Sequence, residues 1–126
     1  MPKYNLNLGV QAEAKAAEFL KASGYQILRR NYRSKLGEVD IIASDKDTVC
    51  FVEVKCRLSD KFGKGSEAVS GKKQGQLAKA ALSFLKENNL LGKSARFDVV
   101  SLDSCGPEEK ITLIKNAFEL NGRFTY

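Results

Sequence analysis

Apolar positions recur every three to four residues from about Leu8 to Ser23, which predicts a first helix. Ala12, Ala16, Ala17, Phe19 and Leu20 gather on one side of it, and Gly24 supplies a C-terminal stop. The pattern then shifts to a short strand, Tyr25 to Tyr32, that enters the basic segment Arg29-Arg30-Asn31-Tyr32-Arg33-Ser34-Lys35. Two more strand-like runs, Glu38 to Ala43 and Thr48 to Cys56, are joined by Ser44-Asp45-Lys46-Asp47, a hairpin signal. Leu58 to Gly65 reads as a polar loop. A long helix is expected over Ser66 to Asn88, with Leu77, Ala80, Ala81, Phe84 and Leu85 as its apolar face and a stop at Asn88-Asn89 and Gly92. Ala95 to Leu102 and Ile111 to Lys115 read as two last strands, separated by an Asp-Ser-Cys-Gly-Pro turn. The order α-β-β-β-α-β-β predicts a single α/β domain, residues 1–126, around a mixed sheet.

The same alternation puts charges where apolar residues are expected. In Thr48 to Cys56, Val49, Phe51, Glu53 and Lys55 share one face, because strand side chains alternate with period two. Glu38 and Asp40 share a face with Ile42 on the preceding strand. If the hairpin closes on a four-residue loop with Ala43 paired to Thr48, Glu38 lies opposite Glu53, and Asp40 is its diagonal neighbour. Like charges so placed repel, and their burial is costly without compensation. Either the face is solvated, with Lys55 neutralising one acid, or a divalent cation sits among carboxylate oxygens of the kind that suit magnesium or manganese.

Both helices carry related oddities. Glu13 falls inside the apolar stripe of the first helix, whereas Lys15, Glu18 and Lys21 fall outside it. On the second helix, Lys72, Gln76, Lys79, Ser83 and Lys86 form a basic-polar stripe, either a solvated back or a surface for phosphates. Lys73 instead projects near the apolar face, toward the charged cluster of the sheet.

Composition narrows the chemistry. With no His among 126 residues, Ser-His-Asp and Cys-His catalysis, His-bearing zinc sites and His-metal nucleases are excluded. Three cysteines, Cys50, Cys56 and Cys105, are odd in number and lack metal-ligand spacing; Cys50 and Cys56 read as small core residues. No apolar run has signal-peptide or membrane-spanning length, so a cytoplasmic protein without membrane association is expected. The net charge of +6 favours polyanionic partners. It is concentrated between Arg29 and Lys79, with 12 Lys plus Arg against 7 Asp plus Glu. Tyr32 and Phe62 interleave with these cations, as aromatic contacts to nucleic acid allow, although ordinary packing accounts for two rings at least as well. Phosphate contacts from such a segment give salt-sensitive, largely sequence-independent binding.

Gly37-Glu38-Val39-Asp40, twelve residues, then Glu53-Val54-Lys55 resembles the signature of the PD-(D/E)xK nuclease superfamily. Glu13, Gly24-Tyr25, Asn31 with Arg33, Arg57, Phe62-Gly63, Lys73, Arg96-Phe97-Asp98 and Asn116-Ala117-Phe118 extend the likeness. Nearly the whole chain resembles the YraN family of small bacterial proteins, which is similar in fold to archaeal Holliday-junction resolvases. The resemblance implies a restriction-endonuclease-like mixed β-sheet flanked by helices. It implies Asp40 and Glu53 as metal ligands, with the backbone carbonyl of Val54, and Lys55 as the catalytic lysine. Glu13 matches a helix acid that completes such sites, and Glu38 matches a strand acid. Val39 stands where the superfamily name has Pro, and Ala12 where the family usually has Gly.

The activity so implied is magnesium- or manganese-dependent hydrolysis of DNA phosphodiester bonds, in branched DNA of repair or recombination. Arg29, Arg30, Arg33, Arg57, Lys72 and Lys73 are the expected DNA contacts, and a homodimer is compatible with this reading. A non-catalytic DNA-binding accessory protein and an interaction protein with a charged docking face are the alternatives.

Overall fold

The computed structural model describes residues 2–57, 71–103 and 109–118, with side chains from Gly9 onward and without that of Arg57. Helix α1 runs Pro2–Ala22, so it begins earlier than the periodicity indicates. Proline at the first helical position costs nothing, because its missing N–H has no intrahelical partner there. Ala12, Ala16, Ala17 and Leu20 are buried, and Phe19 is half-buried. The helix ends as its glycine foretells. Gly24 takes φ 96°, the Gly24 N–H donates to the Lys21 carbonyl, and the Tyr25 N–H donates to that of Leu20.

Five strands follow the expected order: β1 (Gln26–Ser34), β2 (Gly37–Asp45), β3 (Thr48–Arg57), then helix α2 (Gly71–Glu87), β4 (Ser94–Asp103) and β5 (Lys110–Phe118). The sheet order is β1-β2-β3-β4-β5. Only β3 and β4 are parallel, as a pair joined through a crossover helix can be; the other neighbours are antiparallel. Helix α2 ends like α1, with Asn89 at φ 57° in place of glycine and the Leu90 N–H donating to the Leu85 carbonyl at 2.8 Å. The expected loop Leu58 to Gly65, the start of the second helix before Gly71, Phe62 and Cys105 lie outside the described residues.

The hairpin between β2 and β3 is tighter than expected. Asp45, not Ala43, pairs with Thr48, leaving a two-residue loop of Lys46 and Asp47. Lys46 adopts φ 59°, and the Ser44 hydroxyl donates to its carbonyl at 2.9 Å. A positive φ is what short hairpin loops require, and this turn obtains it without glycine. The register moves by two residues. Every side chain keeps its face, but each acquires a different partner.

The helices cover opposite faces of the sheet. Helix α2 packs Leu77, Ala80, Ala81, Phe84 and Leu85 against Tyr32, Ile42, Val49, Phe51, Phe97 and Val99. Helix α1 packs its alanines and Leu20 against Tyr25, Ile41, Ala43, Cys50, Val52, Val100 and Leu102. Strand β4 is buried from Phe97 to Leu102. Cys50 fits the core reading, but Cys56 does not: it is exposed near the end of β3, close to the charges of Glu109, Lys15 and Asp103. Tyr32 is buried and edge-on to Phe84, with its hydroxyl donating to Glu87, so this ring is a packing residue. Among the described residues, no helix is long and apolar enough to cross a membrane.

Candidate functional site

The corrected register aligns the acids. Pairing of β2 with β3 stops at Ile41↔Val52, and one step further Asp40 falls opposite Glu53. There the ladder gives way to a side chain: the Val54 N–H donates to Asp40 Oδ2 at 2.9 Å. On the other side of β2, Asn31 falls opposite Asp40, between the pairs Arg30↔Ile41 and Tyr32↔Val39. Asn31 has φ 54°, a local twist that asparagine tolerates better than most residues. Its side chain favours the ionised form of Glu13 of α1. Asn31, Asp40 and Glu53 thus form one level across three strands, joined by Glu13 from the helix.

Glu53 is the most confined member, 6% exposed. Its Oε2 lies 3.6 Å from the Lys55 ammonium and 3.7 Å from that of Lys73. Its Oε1 is buried with no hydrogen-bond partner among the described residues. Burial, then the charge of Asp40, push its carboxyl up to about 7, against the opposing pull of Lys73 and Lys55. Glu13 is raised too, first by burial and then by Asp40, while Asn31 and Arg30 work the other way. Two ionised carboxylates have acceptors only, so they cannot satisfy each other. A shared proton or a bound cation between them resolves that conflict.

These residues fit a hard divalent cation. The orphaned Oε1 is an oxygen donor already desolvated, and the Asp40 carboxylate adds a second. The set is not a finished cage: among the described residues, no three His, Cys, Asp or Glu side chains converge into a metal-binding group. Glu13 feels the charge of Asp40 without closing on the pair.

The other expected residues divide clearly. Lys73 reaches the centre, as its place near the apolar face suggests. Glu38 does not; the shifted register takes it away from Glu53, and it is exposed and pairs with Arg33 across the strands at 3.7 Å. Arg29, Arg30, Arg33 and Lys72 are exposed. Arg29 covers the Tyr32 ring at 5.3 Å, and Arg30 supports Glu13 electrostatically. Arg57 ends β3, its side chain outside the described residues.

A second charged cluster joins residues that the sequence offered only as part of the family likeness, with no role assigned. Asp98, fully buried on β4, accepts from Arg96 Nε at 3.0 Å, the Tyr25 hydroxyl at 3.2 Å and the Asn116 N–H at 2.9 Å. Arg96 also donates to Tyr25 and Asp45, each at 2.8 Å. The signal was present: Arg96 and Asp98 share a face of an apolar strand by the same period-two rule that exposes Glu53 and Lys55.

The fold and site define a class: an α/β protein with a mixed five-stranded sheet, whose antiparallel hairpin and crossover helix gather carboxylates and lysines. The model of uncharacterised protein family UPF0102 matches residues 12–102, and the chain belongs to that family. A UPF0102 protein of Syntrophus aciditrophicus is 50% identical over 117 residues, covering 92% of this chain and 91% of its own. Relatives from Sulfurihydrogenibium and Geobacter metallireducens are 47% and 44% identical, covering 86% and 95% of this chain and 90% and 98% of their own. The matched span includes Glu13, Asp40, Glu53, Lys55 and Lys73.

Proposed function

We propose that the protein is a metal-dependent DNA endonuclease of restriction-endonuclease-like fold, acting on branched or single-stranded DNA. The observation that carries this reading is the buried, unpartnered Oε1 of Glu53 beside Asp40, with two lysines held at the other oxygen. A structural ion pair is built to satisfy both oxygens, whereas a metal site keeps one in reserve.

Asp40, Glu53 and the Val54 carbonyl would hold magnesium or manganese, with Glu13 in support. When bound, the ion polarises the phosphate and lowers the pKa of a water, which requires no imidazole. Asp40 is oriented for this role by the Val54 N–H, which fixes one of its oxygens. Lys55, about one quarter exposed, can reach both the carboxylate and an incoming phosphate. It orients the attacking water and stabilises the negative charge that develops on the phosphate. Lys73 favours the ionised form of Glu53 and presents a second cation to the scissile phosphate. Arg29, Arg30, Arg33 and Lys72 add non-specific backbone contacts along the exposed edge of β1 and along α2.

Asp40→Asn and Lys55→Ala test this directly. In the first variant the amide oxygen still accepts the Val54 N–H, so the fold is retained while the charge is lost. Both variants should abolish magnesium-dependent cleavage of junction, flap and single-stranded DNA while unfolding like the parent protein. Cleavage unchanged in both would overturn the assignment. The open acid set, in which Glu13 does not close on its neighbours, favours a second reading as a DNA-binding module without turnover. That reading requires salt-dependent DNA retention and no cleavage with any divalent metal.

A further inference from the structure

The turn between β1 and β2 and the first turns of α2 enclose a cleft of about 450 Å³, whose walls include Arg33, Lys35, Leu36, Glu38, Lys73 and Gln76. The cleft is framed by a hydrogen-bonded turn. The Ser34 hydroxyl accepts from the Leu36 N–H and donates to the Gly37 carbonyl, each at 3.2 Å. Gly37 lets this turn seat on the helix, because a Cβ there would lie 2.6 Å from the Gln76 carbonyl oxygen. Lys73 belongs both to the cleft and to the cluster at Glu53, so the two are continuous.

The lining is mixed in a way that phosphate alone does not call for. Arg33, Lys35 and Lys73 supply cations, Glu38 an acceptor, and Gln76 both a donor and an acceptor. Leu36 stands on the lip, 54% exposed, a large aliphatic side chain surrounded by charge. Aliphatic side chains so placed on a basic surface serve to cover or wedge an unstacked base. The volume is that of a small-ligand pocket, of order 300–1,000 Å³, and suits a single nucleotide.

We propose that this cleft holds an unpaired nucleotide next to the phosphate cleaved at Glu53, so that the substrate is DNA with a single-stranded segment at the cutting point. The proposal rests on the nuclease reading and names its substrate class. Leu36 covers the base, Arg33 and Lys35 hold the flanking phosphates, and the Glu38 and Gln76 side chains meet the base edge.

The test is binding of the full chain, with calcium in place of magnesium, to a flap DNA carrying 2-aminopurine at the first unpaired position. A fully paired duplex of the same sequence is the comparison. The flap should bind more tightly, and the 2-aminopurine emission should change on binding. Leu36→Ser should weaken flap binding about three- to tenfold and suppress the emission change, leaving duplex binding and the unfolding midpoint as in the parent. Equal binding of flap and duplex, or a Leu36→Ser protein that binds the flap like the parent, would overturn the proposal. The two readings fail separately. Flap preference without cleavage in magnesium or manganese sinks the nuclease reading alone, and cleavage with Leu36→Ser indistinguishable from the parent sinks the cleft alone.

Discussion

Two charged clusters sit in this sheet, and they are built on opposite principles. Around Asp98, both carboxylate oxygens are hydrogen-bonded, one to Arg96 and the Asn116 N–H, the other to Tyr25 and Arg96. Arg96 in turn spans to Asp45, which Lys115 approaches at 3.5 Å. Burial works against the Arg96 charge, but the two aspartates outweigh it. Burial and the Asp98 charge likewise push the Tyr25 phenol up. Around Glu53, by contrast, two acids face each other, both lysines lie at one oxygen, and the other oxygen has no partner among the described residues. Both carboxylates are buried, so desolvation alone does not mark a functional site. What separates them is satisfaction: a closed network stabilises the fold, and an open one holds a binding capacity in reserve at some cost in stability.

Mutation of each cluster should therefore have opposite consequences. Asp98→Ala takes one of two acid partners from Arg96 and leaves the Asn116 N–H and the Tyr25 hydroxyl without their acceptor, and it should destabilise the protein by about 2–4 kcal/mol, read from urea unfolding. A loss under about 1 kcal/mol would mean that the cluster is not the structural tie it resembles. Glu53→Gln should do the reverse in metal-free buffer. Its carboxyl is held at about 7, above the ordinary 4.5, so the folded state binds this proton more tightly than the unfolded chain. The associated stability is complete below about 4.5 and is lost as pH rises through about 7, and Glu13 adds to the trend in the same direction. The Gln variant should be flatter across that window and gain on the parent as pH rises. Divalent metal should stabilise the parent and not the variant.

Smaller changes sharpen the contrast further. Tyr25→Phe deletes one hydroxyl from the closed network and should cost about 1–2 kcal/mol of stability with no effect on cleavage. The Arg33–Glu38 pair is exposed and lies outside both networks. Glu38→Gln should alter the unfolding free energy by less than about 0.5 kcal/mol. A larger loss would show that Glu38 belongs to the buried acids after all.

The legibility of these features in the sequence follows from how local each one is. Element order, the glycine stop at Gly24 and the apolar faces of both helices were readable, because each depends on spacing along one segment. That Glu53 and Lys55 project from an apolar strand also followed from period two alone. The partner of Glu53 did not. It required the hairpin loop length, and a left-handed Lys46 in a turn without glycine carries no strong sequence signal. A two-residue error there preserves every face and exchanges Asp40 for Glu38 opposite Glu53. Cys56 was misread because apolar neighbours along a strand do not reveal which charged side chains from distant elements gather at its end.

The sequence by itself determined the fold class, the family and the residue types available for chemistry, since patterning and motif spacing are properties of the chain. Only the tertiary structure decided which buried charges are satisfied and which are left open. Satisfaction of a buried oxygen depends on atoms from distant strands arriving within about 3 Å, and that distance is set by register and packing, not by order along the chain.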